Sequence, residues 1–140
     1  MPTSTATESG DSLEANFGRP HVVVLGAGAS LAAFPSGDRH GHRLPIIRNF
    51  VETLGMEALL SSRGFAGPYD DFEGLYSDIT LDPAQQDLRH EIEQRVFDYF
   101  AALDLPDEPT LYDHLILSLR PKDVIATFNW DPFLWQAAAR

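Results

Sequence analysis

Two short segments gather the side chains of this sequence that could do chemistry. Gly26-Ala27-Gly28-Ala29-Ser30 follows one apolar run, and Thr127-Phe128-Asn129-Trp130-Asp131 ends another. Small residues where a strand turns into a helix let backbone come close to a pyrophosphate. The first Gly is free to take positive φ, and the second removes a Cβ from the anion's path. N–H groups at the following helix start then face negative charge. In the second segment Thr127, Asn129 and Asp131 alternate at a strand end, so Asn129 and Asp131 point to the same side. Read singly, each segment also fits something plainer: a tight strand-to-helix turn, or an Asp131 N-cap behind a turn residue at Asn129. The glycine turn departs from the dehydrogenase fingerprint, because Leu31 stands where a third Gly or Ala belongs. Ser30 lacks a Gly-x-Ser-x-Gly elbow, and no Gly-Lys-Ser/Thr follows, which argues against a hydrolase nucleophile and a P-loop.

The elements that must position these segments follow from patterning. His21-Val22-Val23-Val24-Leu25 and Asp123-Val124-Ile125-Ala126-Thr127-Phe128 read as buried strands of a parallel sheet. Between them the sequence is helix and loop. Phe34 to Arg43 is a loop with Pro35, Gly37 and Gly41, and Pro45 to Ser61 has helical spacing with a break at Gly55. Asp71 caps a helix carrying Phe72, Leu75, Tyr76 and Ile79. Asp82-Pro83 starts a long helix with Leu88, Ile92, Val96, Tyr99, Phe100 and Leu103 on one face. Pro109 opens another, whose face is Leu111, Leu115, Ile116 and Leu119. Asp131-Pro132 leads into a last helix, whose Phe133 and Trp135 are expected in the core. Two strands separated by helices imply a Rossmann-like α/β domain, a parallel sheet with helices on both faces. Such sheets generally have more strands, so the domain is expected to be incomplete at the C-terminus.

Composition narrows the function classes. The chain has 140 residues, enough for one domain, with 44% hydrophobic residues and a net charge of −11. That charge repels phosphate backbones and anionic lipid, so direct nucleic-acid or membrane-surface binding is not expected. There is no cysteine, which excludes disulfides, zinc ribbons and thiol nucleophiles within these residues. Asp38, His40 and His42 share a Gly-rich polar loop without a further ligand, and no metal is expected there. Residues 1–19, Ser- and Thr-rich at the start, read as a disordered tail without signal-peptide character, and 20–140 as the domain of a cytoplasmic protein.

Taken as a pair, the two segments resemble the sirtuin family, whose motifs read Gly-Ala-Gly-Ile-Ser and Thr-Gln-Asn-Ile-Asp. Phe34-Pro35 resembles that family's Pro-containing loop, and Asp71-Phe72-Glu73 a helix start of bacterial sirtuin-like defence proteins. The resemblance spans roughly Pro20 to Arg140 and implies NAD⁺ as the substrate. Gly26, Ala27, Gly28 and Ser30 would contact the phosphates and adjoining ribose, and Thr127 would belong to the same binding set. Asn129 would be catalytic at the nicotinamide ribose, and Asp131 would grip the carboxamide. Breaking the bond from ribose C1′ to nicotinamide builds oxocarbenium character, which needs oriented dipoles rather than a strong base. The function implied first is NAD⁺ hydrolysis in bacterial anti-phage defence, switched on by a defence partner protein or by a further C-terminal region, with a homo-oligomer as another expected partner state. Protein deacylation, or nucleotide binding without turnover, are the alternatives. The family's catalytic His follows the Asn-Asp strand; His21, His40, His42, His90 and His114 all precede it, which places that His beyond Arg140.

Overall fold

A computed structural model describes residues 18–140. The expectation of a disordered tail over residues 1–19 falls outside the described residues for 1–17. Gly18 and Arg19 belong with the folded part, because their carbonyls accept bonds from Lys122 Nζ (2.6 Å) and Arg120 Nη2 (2.9 Å). Strand β1 (Val22–Leu25) pairs with β2 (Val124–Thr127) in parallel, Val22 opposite Val124 and Leu25 opposite Thr127. The ladder runs one residue further at each end, from Val124 N–H to the His21 carbonyl and from Phe128 N–H to the Leu25 carbonyl. Asp123 ties the starts of the strands together: its carboxylate takes the His21 N–H at 2.7 Å and the Arg120 guanidinium at 2.9 Å. Those bonds, the Arg120 side chain first, hold its carboxyl well below the usual carboxylate range.

The mixed α/β class holds, with a parallel pair joined through helices. Among the described residues the sheet has two strands, and helices cover one face of it. Val23, Leu25 and Ile125 pack into the core, whereas Val22, Val24 and Val124 on the other face are 66%, 62% and 53% exposed. The two-residue period of a strand divides the valines in this way. A continuous apolar run fits a strand covered on both sides, and here one side is open.

Helices α1 (Ala27–Ala33), α2 (Phe50–Thr53), α3 (Glu57–Ser62), α4 (Phe72–Leu81), α5 (Gln86–Ala101), α6 (Leu111–Ser118) and α7 (Phe133–Ala138) complete the order. Their boundaries follow local chemistry. Gly55, at φ +63°, separates α2 from α3 where the sequence pattern breaks. Asp71 accepts the Gly74 N–H at the start of α4, and Asp82 accepts the Ala84 N–H before α5. Thr110, rather than Pro109, caps α6, through a reciprocal pair of bonds with Asp113. None of the helices in the described residues is long and apolar enough to cross a membrane.

Two apolar clusters hold the chain. One lies under the sheet and joins Leu25, Phe34, Leu103, Leu105, Tyr112 and Phe133. The other lies within the helical insert and joins Phe50, Met56, Leu60, Phe72, Leu88 and Ile92; Phe100 packs against both. Gln136 pins α7 to the end of α5, its amide accepting the Leu105 N–H (2.8 Å) and donating to the Leu103 carbonyl (3.0 Å). Trp135, expected in the core, is 75% exposed. Phe133 and Ala137, four residues apart, share the buried stripe of α7, and Trp135 lies on the opposite side of the helix.

The loop after α1 is organised by Asp38, whose buried carboxylate accepts the backbone N–H groups of His40, His42 and Asp104 as well as His42 Nδ1. Gly37 has φ +91°, and a Cβ there would lie 2.5 Å from the His42 carbonyl oxygen, so this tight turn needs glycine. Burial alone would raise the Asp38 pKa; the hydrogen bonds outweigh it and the net shift is downward. The carboxylate therefore stabilises the fold above its unfolded pKa of about 4, and the contribution is lost as pH falls through the lower folded value. Asp38→Ala leaves those N–H groups unpaired and is expected to cost about 2–4 kcal/mol at pH 7. Urea unfolding at pH 7 and pH 3 checks this: the difference between parent and variant should shrink at pH 3. A constant difference would remove the carboxylate from the explanation.

Candidate functional site

Parallel pairing brings the carboxyl ends of β1 and β2 to the same edge, where ligand crevices form in α/β folds. Ser30, one turn into α1, meets Asn129 and Asp131 there. Its Oγ lies 2.7 Å from Asp131 Oδ2, 2.8 Å from Asn129 Nδ2 and 2.6 Å from the Tyr112 hydroxyl. A serine hydroxyl has one proton and two acceptor positions. An ionised Asp131 takes the proton, and the Asn129 amide and Tyr112 phenol donate to the lone pairs. Ser30 is 1% exposed and its bonding capacity is filled by protein. What it offers the site is the placing of its three partners rather than a direct bond to a ligand.

The amide nitrogen of Asn129 is committed to Ser30. Asn129 Oδ1 is buried and has no hydrogen-bond partner among the described residues. Asp131 also receives the backbone N–H of Phe133, so it serves the start of α7 and the site at once. Pro132, however, stands at the N-cap position where Asp131 was expected. Burial raises the Asp131 pKa, partly opposed by bonds from Ser30, Phe133 and Asn129. Burial likewise raises the pKa of Tyr112.

A cleft of about 220 Å³ opens over this network, walled by Ala27, Ser30, Asn129, Asp131 and Glu73 among aliphatic and aromatic side chains. Phe72, Phe100 and Trp130 are shared with a larger apolar groove of about 520 Å³. Trp130 stands edge-on to Phe50 and Phe100, ring centroids 5.8 Å from each. Glu73 and Asp131 are the charged residues of the cleft wall, and both are acids. Of the other expected site residues, Thr127 turns its hydroxyl to its own chain and accepts the Asn129 N–H at 3.1 Å. Gly26 and Gly28 lie at the surface beside the cleft. Gly26 has φ −119° and ψ 176°, so the turn does not use the positive φ expected of it. A Cβ added at either glycine would meet no atom within 4 Å. Neither backbone conformation nor packing within the chain calls for glycine there.

Tyr112 was missed by reading the face of α6 as Leu111, Leu115, Ile116 and Leu119. Leu111 is 61% exposed and Tyr112 is 3% exposed. The signal was present, since Tyr112, Leu115, Ile116 and Leu119 follow i, i+3, i+4, i+7 spacing better than a stripe begun at Leu111. The Asp38, His40 and His42 loop is accounted for by its internal hydrogen bonds, and the described residues hold no group of metal-binding side chains. No family model matches this chain, and neither a curated protein nor a solved structure does.

Proposed function

We propose that the chain binds NAD⁺ at the strand-end cleft and cleaves it to nicotinamide and ADP-ribose. The observation that carries this reading is Asn129 Oδ1, a buried acceptor with no partner among the described residues, on a residue of the cleft wall. Buried polar atoms are nearly always paired, and in this reading the partner is a ligand N–H or O–H. A ribose hydroxyl or an attacking water supplies such a donor. Charge supports the same orientation. The acidic wall of Glu73 and Asp131 suits the cationic pyridinium of NAD⁺ and disfavours the pyrophosphate. The pyrophosphate belongs outside the cleft, across Gly26 and Gly28, where the bare Cα atoms leave open space. At about 220 Å³ the cleft suits the nicotinamide-ribose half rather than the whole dinucleotide.

In this reading nicotinamide leaves with the electron pair of its bond to ribose C1′. Water adds to that carbon and gives up a proton, so NAD⁺ and water yield nicotinamide, ADP-ribose and a proton. Asn129 orients the water or a ribose hydroxyl, and the Asp131 carboxylate favours the positive charge that builds on the sugar. The Ser30 bonds fix both groups beforehand. The resemblance to the sirtuin family supports a setting in bacterial anti-phage defence in the cytoplasm, with a partner protein or further copies of the chain switching cleavage on.

The test is release of nicotinamide and ADP-ribose in equal amounts when the full-length protein meets NAD⁺. Binding without release overturns the cleavage and leaves a nucleotide-binding module; absence of both binding and release overturns the whole proposal. Gly28→Val provides a second check. Position 28 lies within α1 and a Cβ there meets no atom, so the variant is expected to fold. The branched side chain would stand in the path of the pyrophosphate and weaken NAD⁺ binding roughly tenfold or more. Calorimetry on a variant with the parent's circular dichroism spectrum decides this; unchanged affinity removes the glycines from the site.

A further inference from the structure

We infer that Tyr112 is a positioning residue of the cleft: its phenol fills the second lone pair of Ser30 and anchors that hydroxyl against α6, so that Ser30 holds the Asn129 amide by its nitrogen. The inference draws on the proposed function only for the identity of the cleft's ligand.

The argument is a count of protons. Asp131, as a carboxylate, can only accept, so it takes the single Ser30 proton at 2.7 Å. Both lone pairs of Ser30 Oγ must then be met by donors. Asn129 Nδ2 supplies one at 2.8 Å and the Tyr112 hydroxyl the other at 2.6 Å. Asp131 already takes the serine proton; the donating phenol holds the Ser30 oxygen in the position from which it reaches both Asp131 and Asn129. A serine whose proton points at Asp131 can receive Asn129 only by its NH₂ end, which fixes the amide. Tyr112 is well placed to be the rigid member. It is 3% exposed, its ring meets Phe34 edge-on at 5.6 Å, and the Thr110–Asp113 capping box secures its helix. Without the phenol oxygen, buried Ser30 has an unmet lone pair and the hub loses the contact that holds it against α6.

The test is Tyr112→Phe, which keeps the ring and removes the oxygen. In the ¹⁵N-labelled full-length protein, the Asn129 side-chain NH₂ signals are identified by their loss in Asn129→Ala. In the parent they should be a single pair, slow to exchange with solvent. In Tyr112→Phe they should shift toward a free amide and exchange roughly tenfold faster or more, as expected when a buried bond is lost. Nicotinamide release should fall roughly tenfold in kcat, with KM for NAD⁺ within about twofold. Should Tyr112→Phe fail to fold, Ser30→Ala removes the hub itself and must free the same amide. A folded variant with unchanged Asn129 signals overturns the inference, whatever its melting temperature. The NMR arm needs no substrate. A freed amide in a protein that does not cleave NAD⁺ would overturn the proposed function while leaving the role of Tyr112 intact.

Discussion

Asn129→Ala is expected to lower NAD⁺ cleavage roughly 100- to 1000-fold, the usual loss when one preorganised polar group at a reacting centre is removed. The variant keeps the elements that build the cleft. Asn129 lies just past β2, and its own N–H, held by Thr127 Oγ1, survives truncation of the side chain. Two groups go: the amide donor to Ser30, and the buried Oδ1, which has no partner among the described residues and which the proposal assigns to the ligand. Removing an acceptor that has no partner among the described residues relieves a cost of its own, because an orphaned buried polar atom destabilises the fold. Loss of the bond to Ser30 works in the opposite direction. The melting temperature is therefore expected to move little while activity collapses. Nicotinamide release and thermal unfolding, measured on the same preparation, test both halves. Activity within a factor of three of the parent would take Asn129 out of the reaction. A large loss of stability would mean that the side chain serves the fold first.

The largest effect on folding is expected at Phe133. Its side chain is fully buried, its ring lies 4.4 Å from that of Phe34, and it shares a cluster with Leu25, Leu103, Leu105 and Tyr112. Phe133→Ala removes that contact and leaves a cavity under the sheet, at a cost of about 3–5 kcal/mol. A domain of this kind is stable by only about 5–15 kcal/mol, so the variant approaches the unfolding threshold at 37 °C. The damage should reach the cleft as well. Phe34 follows Ser30 by one helical turn and Phe133 follows Asp131 by two residues, so the same ring pair sets the spacing between the two site segments. Trp135→Ala provides the contrast, because Trp135 is 75% exposed on the opposite side of α7. It should change stability by less than about 0.5 kcal/mol. Urea denaturation of the two variants beside the parent decides the matter. Similar midpoints for both would show that the packing of α7 contributes little.

Much of the local structure was legible because it depends on neighbours in sequence. The apolar runs at Val22–Leu25 and Val124–Thr127 are the strands, Asp71 caps α4, and Asp82 caps the short 3-10 turn Pro83–Gln85 that leads into α5. Gly55 marks the break between α2 and α3, and Leu88 and Ile92 face inward from α5. Propensity, capping and periodicity act over a few residues, so their signals lie in the sequence order itself. Errors at this level were errors of phase. Leu111 was placed inward in place of Tyr112, and Trp135 was grouped with Phe133 although two residues along a helix point nearly apart.

The sequence by itself determined that Gly26-Ala27-Gly28-Ala29-Ser30 and Asn129-Trp130-Asp131 would each sit at the end of an apolar strand. Parallel pairing of those strands then places them beside each other. Only the tertiary structure decided how they are used. Ser30 is a buried hub, because partners 82, 99 and 101 residues away in the chain fill its proton and both lone pairs. Tyr112 enters the site from a helix that carries no motif. Gly26 keeps an ordinary extended backbone, and among the described residues nothing covers the outer face of the valine strands. A hydrogen bond between distant residues leaves no trace in local spacing, because it depends on which helix faces are turned toward each other. That is settled when the core under β1 and β2 closes around Phe34, Tyr112 and Phe133.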